Sequence, residues 1–252
     1  MKSVNTDVAY DYIRKRILSG DFAPGHPLLT EVLAAEIKVS RTPVRDALRK
    51  LETDGLVTIR AHLGASVKKM NLKEYREMSD LRLALESHAA GLAAKNHTDE
   101  DLSEMEFALE AMRGLTKRII AADKEQPILA ELMKEDIRFH IAIMGAARNE
   151  LMKREILRLH LLHRVVSGPS ATDAPVAVAP KSQNDARRKL VQAKHEDIFE
   201  AIKRGDAAAA KREMEFHLQE MIDHNFRLLA RAEAGVIARE LSPEELLYIS
   251  QH

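Results

Sequence analysis

The sequence predicts a mainly α protein. An N-terminal winged helix-turn-helix (three helices plus a β-wing) is followed by an all-α bundle of six or seven helices. Three observations carry this reading. Ala, Leu, Glu, Lys, Arg and Met dominate, aromatics reach only 4% and Trp is absent, a usage that favours helices over strands. Apolar residues recur at three- and four-residue spacing between Gly and Pro punctuation. The one stretch that reads as a hairpin, residues 56–67, directly follows a short arginine-rich helix. With 252 residues, 45% of them apolar, the chain allows one large domain or two smaller ones and supports real cores. We read residues 1–70 as the winged unit, 71–232 as the helical unit and 233–252 as a tail.

The first element is Asp7 to Ser19, where Val8, Tyr12, Ile13, Ile17 and Leu18 share a helical face. Gly20 ends it, and DFAPGHPLL reads as a turn. Thr30 is the expected cap of a short helix carrying Val32, Leu33, Ala35 and Ile37. Val39 and Ser40 turn into a third helix, with Ser40 as N-cap, Pro43 in the first turn and Gly55 as its stop. On that helix Arg41, Arg45 and Arg49 stand at i, i+4 and i+8, while Val44, Ala47, Leu48 and Leu51 form a separate apolar face. Such a helix suits a major-groove reader and, taken alone, equally a solvated basic face. Leu56, Val57 and Ile59, then Ser66 and Val67, give two short strands around a turn with Gly64.

The surroundings favour DNA. Helix, helix, turn, helix and hairpin is the order of a winged helix-turn-helix with the arginine helix in the reading position. Residues 1–70 hold 12 Lys+Arg against 8 Asp+Glu, and the remainder 27 against 31. A basic end beside an acidic body points to a nucleic-acid contact confined to one end. The chain has no Cys, which excludes disulfides and thiolate metal sites and fits a reducing compartment. No apolar run approaches the ~20 residues of a membrane span, and MKSVNTDVAY lacks a signal-peptide core. The expectation is a cytoplasmic protein with no membrane contact.

Residues 8–70 resemble the DNA-binding domain of the GntR family of bacterial transcription regulators. The matching pieces are I-x3-I-L-x-G-x-F-x-P-G from Ile13 to Gly25, S-R-T-P-V-R-D-A-L-x-x-L from Ser40 to Leu51, and D-G-L-V…G-x-x-V from Asp54 to Val67. The resemblance implies DNA contacts from Arg41, Thr42, Arg45 and Arg49, and a minor-groove approach at Gly64. Glu31 stands where some relatives carry a basic residue. One small domain reads little sequence, so two copies on a palindromic operator are expected, hence a homodimer.

Beyond residue 70, Leu72 to Lys95 forms a long helix with Met78, Leu81, Leu85 and Leu92 on its apolar side. Thr98-Asp99-Glu100-Asp101 starts the next, through Leu102, Met105, Leu109 and Met112; residues 113–126 can continue or break it. Pro127 opens a third helix, and Asn149 caps a fourth reaching Val166. Residues 167–184, with three prolines, read as a flexible loop between good helices. Ala186 to Lys203 and Asp206 to Ala230 follow, joined at Gly205, and Ser242 caps a short helix in the tail.

Four residues of this unit carry chemistry. Asp136 and His140 lie one turn apart on a face shared with Leu129, Met133 and Met144. His195 shares a face with Val191, Ile198 and Ile202, and His217 with Ala210, Met214 and Met221. A lone histidine of this kind is usually a hydrogen-bonded core residue. A carboxylate and three imidazoles together in apolar interiors are costly unless satisfied, and a divalent metal (Zn, Ni or Mn) satisfies them. His88, His160, His163 and His224 read as surface or core residues, and His62 lies near the wing tip.

The same segments resemble the FCD effector domain of FadR-type GntR regulators: D-I-R-F-H at Asp136 to His140, H-x2-I-x3-I-x2-G-D-x3-A from His195 to Ala210, and His217. The resemblance implies metal binding by Asp136, His140, His195 and His217, with a small carboxylate or sugar-acid effector beside the metal. Arg82, in an R-x3-E segment with Glu86, is the implied carboxylate partner, with a surface ion pair as its alternative. Asn149 matches the family's turn and also suits a helix cap. The expected function is a ligand-controlled regulator, most simply a repressor. Two alternatives differ from it: a metal-dependent hydrolase, against which no general base stands at a fixed spacing, and a regulator whose metal is structural or sensory.

Overall fold

The computed structural model describes residues 2–122, 125, 127–167 and 181–235. Its elements are α1 (Lys2–Ser19), α2 (Thr30–Ile37), α3 (Arg41–Thr53), β1 (Val57–Arg60), β2 (Gly64–Val67), α4 (Leu72–Asn96), α5 (Asp99–Ala121), α6 (Ile128–Ala146), α7 (Glu150–Ser167), α8 (Lys181–Lys203) and α9 (Ala207–Gly235). The expected winged helix-turn-helix followed by an all-α unit is what forms.

Local chemistry sets most boundaries. Ser40 is the N-cap of α3 in extended conformation, although its side chain makes no cap hydrogen bond. Thr30 is not a cap: α2 starts at Thr30 itself, with Leu29 as N-cap. Lys38 ends α2 in the left-handed region at φ 60°, so the turn into α3 is made there. Two capping boxes start the long helices. Asn71 Oδ1 accepts from Glu74 N–H at 2.9 Å while Glu74 accepts from Asn71 N–H at 3.1 Å, and Thr98 pairs with Asp101 in the same way, each satisfying two donors the first turn leaves open.

Several expectations shift. α1 begins at Lys2, before the expected Asp7. DFAPGHPLL is more than a turn, because Leu28 N–H donates to Ala65 O at 2.8 Å and Val67 N–H to His26 O at 3.0 Å, pairing it with β2. α5 runs unbroken to Ala121. α8 starts at Lys181, inside the span read as loop; residues 168–180 and the tail from residue 236, with the helix expected at Ser242, lie outside the described residues.

Two cores result. In the bundle, Ala90, Ala93 and Ala94 of α4, Met105, Leu109 and Met112 of α5, Phe139 and Ile143 of α6, Ile198 and Ile202 of α8, and Met214 and Leu218 of α9 bury together. The alanine face lets α9 approach closely: a Cβ on Gly91 would lie 3.1 Å from Ala207 O. The other core joins the winged unit to the bundle. Ile13, Leu33, Val44, Leu48, Leu51 and Val57 share it with Tyr75 and Met78 of α4 and Leu159, Leu162 and Val165 of α7. Each such aliphatic side chain contributes about 1.5–3 kcal/mol on burial. Leu162 lies against Gly55, where φ is +81° and an added Cβ would meet Leu162 Cδ2 at 3.1 Å. The residue that stops the arginine helix is therefore also a contact with the bundle.

Candidate nucleic-acid interface and metal centre

Burial of Pro43, Val44, Ala47, Leu48 and Leu51 fixes the rotation of α3 and leaves Arg41, Thr42, Arg45 and Arg49 exposed on its outer side. Arg41 Nη1 lies 3.2 Å from Glu31 Oε1, and Arg49 Nη1 4.0 Å from Asp46 Oδ1, all four side chains at least half exposed. Such pairs contribute at most about 1 kcal/mol and can be exchanged for phosphates. Among the described residues Arg45 has no ion-pair partner within 4.0 Å. Tyr10 donates to Asp54 Oδ2 at 2.6 Å, tying α1 to the end of α3. Burial, then the bond to the Asp54 carboxylate, pushes the Tyr10 phenol up to about 12, so it remains a donor. In the wing, β1 and β2 pair antiparallel with Arg60 opposite Gly64. Gly64 has φ +86° with open space around it; the backbone, not crowding, demands glycine there.

The second constellation forms where α6, α8 and α9 meet α4. His140, His195 and His217 are each no more than 2% exposed. Their ring centroids are 5.6 Å (His140–His195), 5.3 Å (His140–His217) and 4.4 Å (His195–His217) apart. Each offers one ring nitrogen such that the three lie within 4.8 Å of one another. Asp136 joins at the rim, its Oδ1 3.1 Å from His195 Nε2, with its side chain 31% exposed. The structure thus brings all four predicted residues together, although Asp136 faces the edge rather than the interior and Met133 on its face is 49% exposed.

His140 Nε2, His195 Nε2 and His217 Nε2 are buried without an aligned hydrogen bond among the described residues. Three converging buried imidazole nitrogens, of which His195 Nε2 also lies 3.1 Å from Asp136 Oδ1, form with that carboxylate a donor set that fits Zn²⁺, Ni²⁺ or Mn²⁺. The fit is therefore chemical as well as geometric: leaving such atoms unsatisfied costs about 1–3 kcal/mol each.

Charges around the centre push the groups in different directions. Burial alone would raise the Asp136 carboxyl, but His195, whose Nε2 lies 3.1 Å away, with the charges of His140 and His217, holds it well below the usual carboxylate range. Burial likewise opposes ionisation of Glu86, and Arg82, His160 and His140 outweigh it. Burial lowers His140, and Glu86 and Asp136 overcome this to raise it. Burial and the neighbouring His195 and His140 push His217 well down. His160 is lowered mainly by burial. His163, whose Nε2 meets Tyr75 Oη at 3.2 Å and Asn225 Nδ2 at 3.3 Å, is pushed to about 3 by burial and Arg82.

These directions give a sign. A histidine held neutral when folded takes a proton near its ordinary ~6.5 only when unfolded, so its stabilisation is full above that pH and lost below it, by up to about 1.4 kcal/mol per pH unit. His160, His163 and His217 act this way, and only the raised His140 opposes them. Below the ordinary carboxylate values Glu86 and Asp136 add a loss of the same sign. The melting temperature of chelator-treated protein is expected to fall between pH 7 and pH 5, followed by circular dichroism; a rise would contradict the neutral assignment.

Other site residues are placed as follows. Arg82 and Glu86 are an ion pair, Nε to Oε1 at 2.8 Å, but a buried one, with side chains 4% and 1% exposed. Glu86 Oε2 lies 3.4 Å from His140 Nδ1 and 3.1 Å from His160 Nε2. His160, read from sequence as a surface or core residue, is mostly buried and belongs to the site's surroundings. Its signal was faint: His160 and His163 stand three apart on α7 among leucines, a pattern core histidines also give. Asn149 Oδ1 accepts from Met152 N–H at 3.0 Å, placing this residue as the cap of α7.

A winged helix-turn-helix joined to an all-α unit is the architecture of a DNA-binding transcription regulator. The profile of the "Bacterial regulatory proteins, gntR family" matches residues 5–67, and that of the FCD domain matches residues 77–220. The chain is 30% identical over 223 residues to the HTH-type transcriptional regulator LutR of Bacillus subtilis (strain 168), covering 82% of this chain and 94% of that one. It is 28% identical to the probable D-xylose utilization operon transcriptional repressor of Paenarthrobacter nicotinovorans, over 82% and 83% of the two chains. The solved structure of E. coli McbR/YncC superposes with a TM-score of 0.66 at 21% identity, covering 89% of this chain and 98% of that one; this likeness concerns the fold. The chain belongs to the GntR family of bacterial transcription regulators, with a C-terminal FCD domain. Its relatives are transcription regulators rather than enzymes, so the hydrolase reading is set aside. No helix among the described residues is long and apolar enough to cross a membrane.

Proposed function

We propose that this regulator is a repressor that binds a palindromic operator as a homodimer and is controlled by a small organic acid bound at or beside a divalent metal. Residues 1–70 serve as the DNA-binding unit and 71–232 as the sensing unit. Arg41, Thr42, Arg45 and Arg49 contact DNA from the major groove, and Gly64 lets the wing tip approach the minor groove. Asp136, His140, His195 and His217 hold the metal. The observation that carries the sensing half is the set of buried imidazole nitrogens without aligned hydrogen bonds, because a divalent cation both satisfies them and can present an open position to a carboxylate. Arg82, whose Nε is committed to Glu86, offers its terminal nitrogens to the same carboxylate, and Asn149 stands as a further contact that its cap role does not require. A relative named for a D-xylose utilization operon is in keeping with control by a sugar-derived ligand.

Control has a thermodynamic condition: the effector must bind the arrangement that cannot hold DNA more tightly, by the free energy through which it weakens DNA binding. The test pairs two measurements on the full chain, a thermal-shift screen of carboxylates and sugar acids with and without Zn²⁺, Ni²⁺ or Mn²⁺, and retardation of DNA flanking its own gene. One acid is expected to raise the melting temperature only with metal present and to release DNA. Stabilisation undiminished by chelator would leave the metal structural; tighter DNA binding with the acid would overturn repression relieved by effector.

A further inference from the structure

Glu86 is a buried carboxylate whose two oxygens face different partners. Oε1 receives Arg82 Nε at 2.8 Å. Oε2 is buried without an aligned hydrogen bond, as is His140 Nδ1, and the two atoms are 3.4 Å apart. A buried carboxylate oxygen thus stands before a ring nitrogen of the histidine triad that has no aligned hydrogen bond among the described residues. His160 Nε2 approaches the same oxygen at 3.1 Å. The trio Glu86, His140 and His160 has the residue types of a metal site in its own right. Arg82 argues against a second cation there: its guanidinium lies on Glu86 and comes within 3.5 Å of His160 Nε2, so positive charge already occupies the spot.

We infer that Glu86 is a positioning residue for the metal centre: it accepts from His140 Nδ1–H, which fixes the imidazole tautomer and turns the Nε2 lone pair toward His195 and His217. The inference rests on the metal reading given above. An imidazole ligates through an unprotonated nitrogen, so the proton must sit on the other one, and a carboxylate at that other nitrogen holds it there while making the ring a better donor. Arg82 has a defined part in this. Its guanidinium holds Glu86 Oε1 from the far side at 2.8 Å, which leaves Oε2 toward His140. His160 on α7 supports the same oxygen from a third direction. None of these three residues need touch the metal, which is why D-x3-H and the two later histidines give no hint of them.

The test separates ring positioning from metal binding. In metal-stripped wild type at a pH where His140 is neutral, ¹⁵N imidazole shifts are expected to report it as the Nδ1–H tautomer; an Nε2–H tautomer would overturn the inference without any variant having to fold. Zn²⁺ affinity, read by competition with a chromophoric chelator, is expected to drop about 10–100-fold in Glu86→Gln. The same drop is expected in Glu86→Gln/Arg82→Met, which avoids leaving a buried cation alone. Affinity unchanged in both variants would overturn the role. Should wild type take up no Zn²⁺, Ni²⁺ or Mn²⁺ while showing the Nδ1–H tautomer, the metal reading fails and the inference with it; a wild type that binds metal through an Nε2–H apo tautomer removes the inference alone.

Discussion

Arg45→Glu is expected to abolish specific retardation of operator DNA while leaving the fold intact. Arg45 sits in the middle of the exposed stripe of α3, one turn from Arg41 and one from Arg49, and among the described residues no carboxylate lies within ion-pairing distance to hold it back. A guanidinium that reaches guanine O6 and N7 contributes about 1–3 kcal/mol of discrimination, and a homodimer would use it twice. Glutamate removes both contacts and sets a like charge against the phosphates. Losses of at least about 100-fold in operator affinity follow, with unfolding free energy held within about 0.5 kcal/mol, since the position is exposed and away from caps and core. Milder changes sort the roles: Arg45→Ala should relax sequence preference, whereas a phosphate-binding neighbour would mainly reduce the salt slope. Specific binding retained by Arg45→Glu would remove α3 from the reading position.

Much of this was legible because the signals are local. Arg41, Arg45 and Arg49 on one face and Val44, Ala47, Leu48 and Leu51 on another follow from helix geometry alone, and the structure buries the second set. The hairpin itself was likewise readable from Leu56, Val57, Ile59 and Val67, but Gly64 opens β2 rather than lying in the turn, where His62 takes the positive φ. What sequence did not convey is tertiary. The third pairing partner of the wing, around Pro27, carries no strand pattern and is recruited by β2. The contact of Leu162 with Gly55 joins residues over a hundred positions apart. Glu86 escaped for the same reason. Its i+4 relation to Arg82 looks like any exposed helix pair, and only the arrival of α6 and α7 on α4 makes it a buried carboxylate facing two histidines.

His195→Ala/His217→Ala should empty the metal centre. The two imidazoles come from α8 and α9, are each 1% exposed and lie centroid to centroid at 4.4 Å, so they form the tightest pair in the set. Their removal leaves His140 and the partly exposed Asp136, two donors one helix turn apart. Complete four-donor zinc sites bind with roughly 10–16 kcal/mol at neutral pH, and losing half the donors should carry the ion off during gel filtration. Elemental analysis is expected to find close to one metal per wild-type chain and almost none in the double variant. Folding need not suffer in proportion. The substitution opens space beside Phe139, which stacks edge-on with His195 at 5.2 Å, but it also deletes two buried nitrogens that have no aligned hydrogen bond. In the absence of metal these effects oppose each other, so the double variant should melt close to chelated wild type and gain nothing from added Zn²⁺. DNA retardation provides the complementary check, because α3 and its exposed arginines are built on the other core: operator binding without effector should persist, and the metal-dependent response to effector should vanish. Equal metal content in the two proteins would place the ion elsewhere and dissolve the link between the four residues.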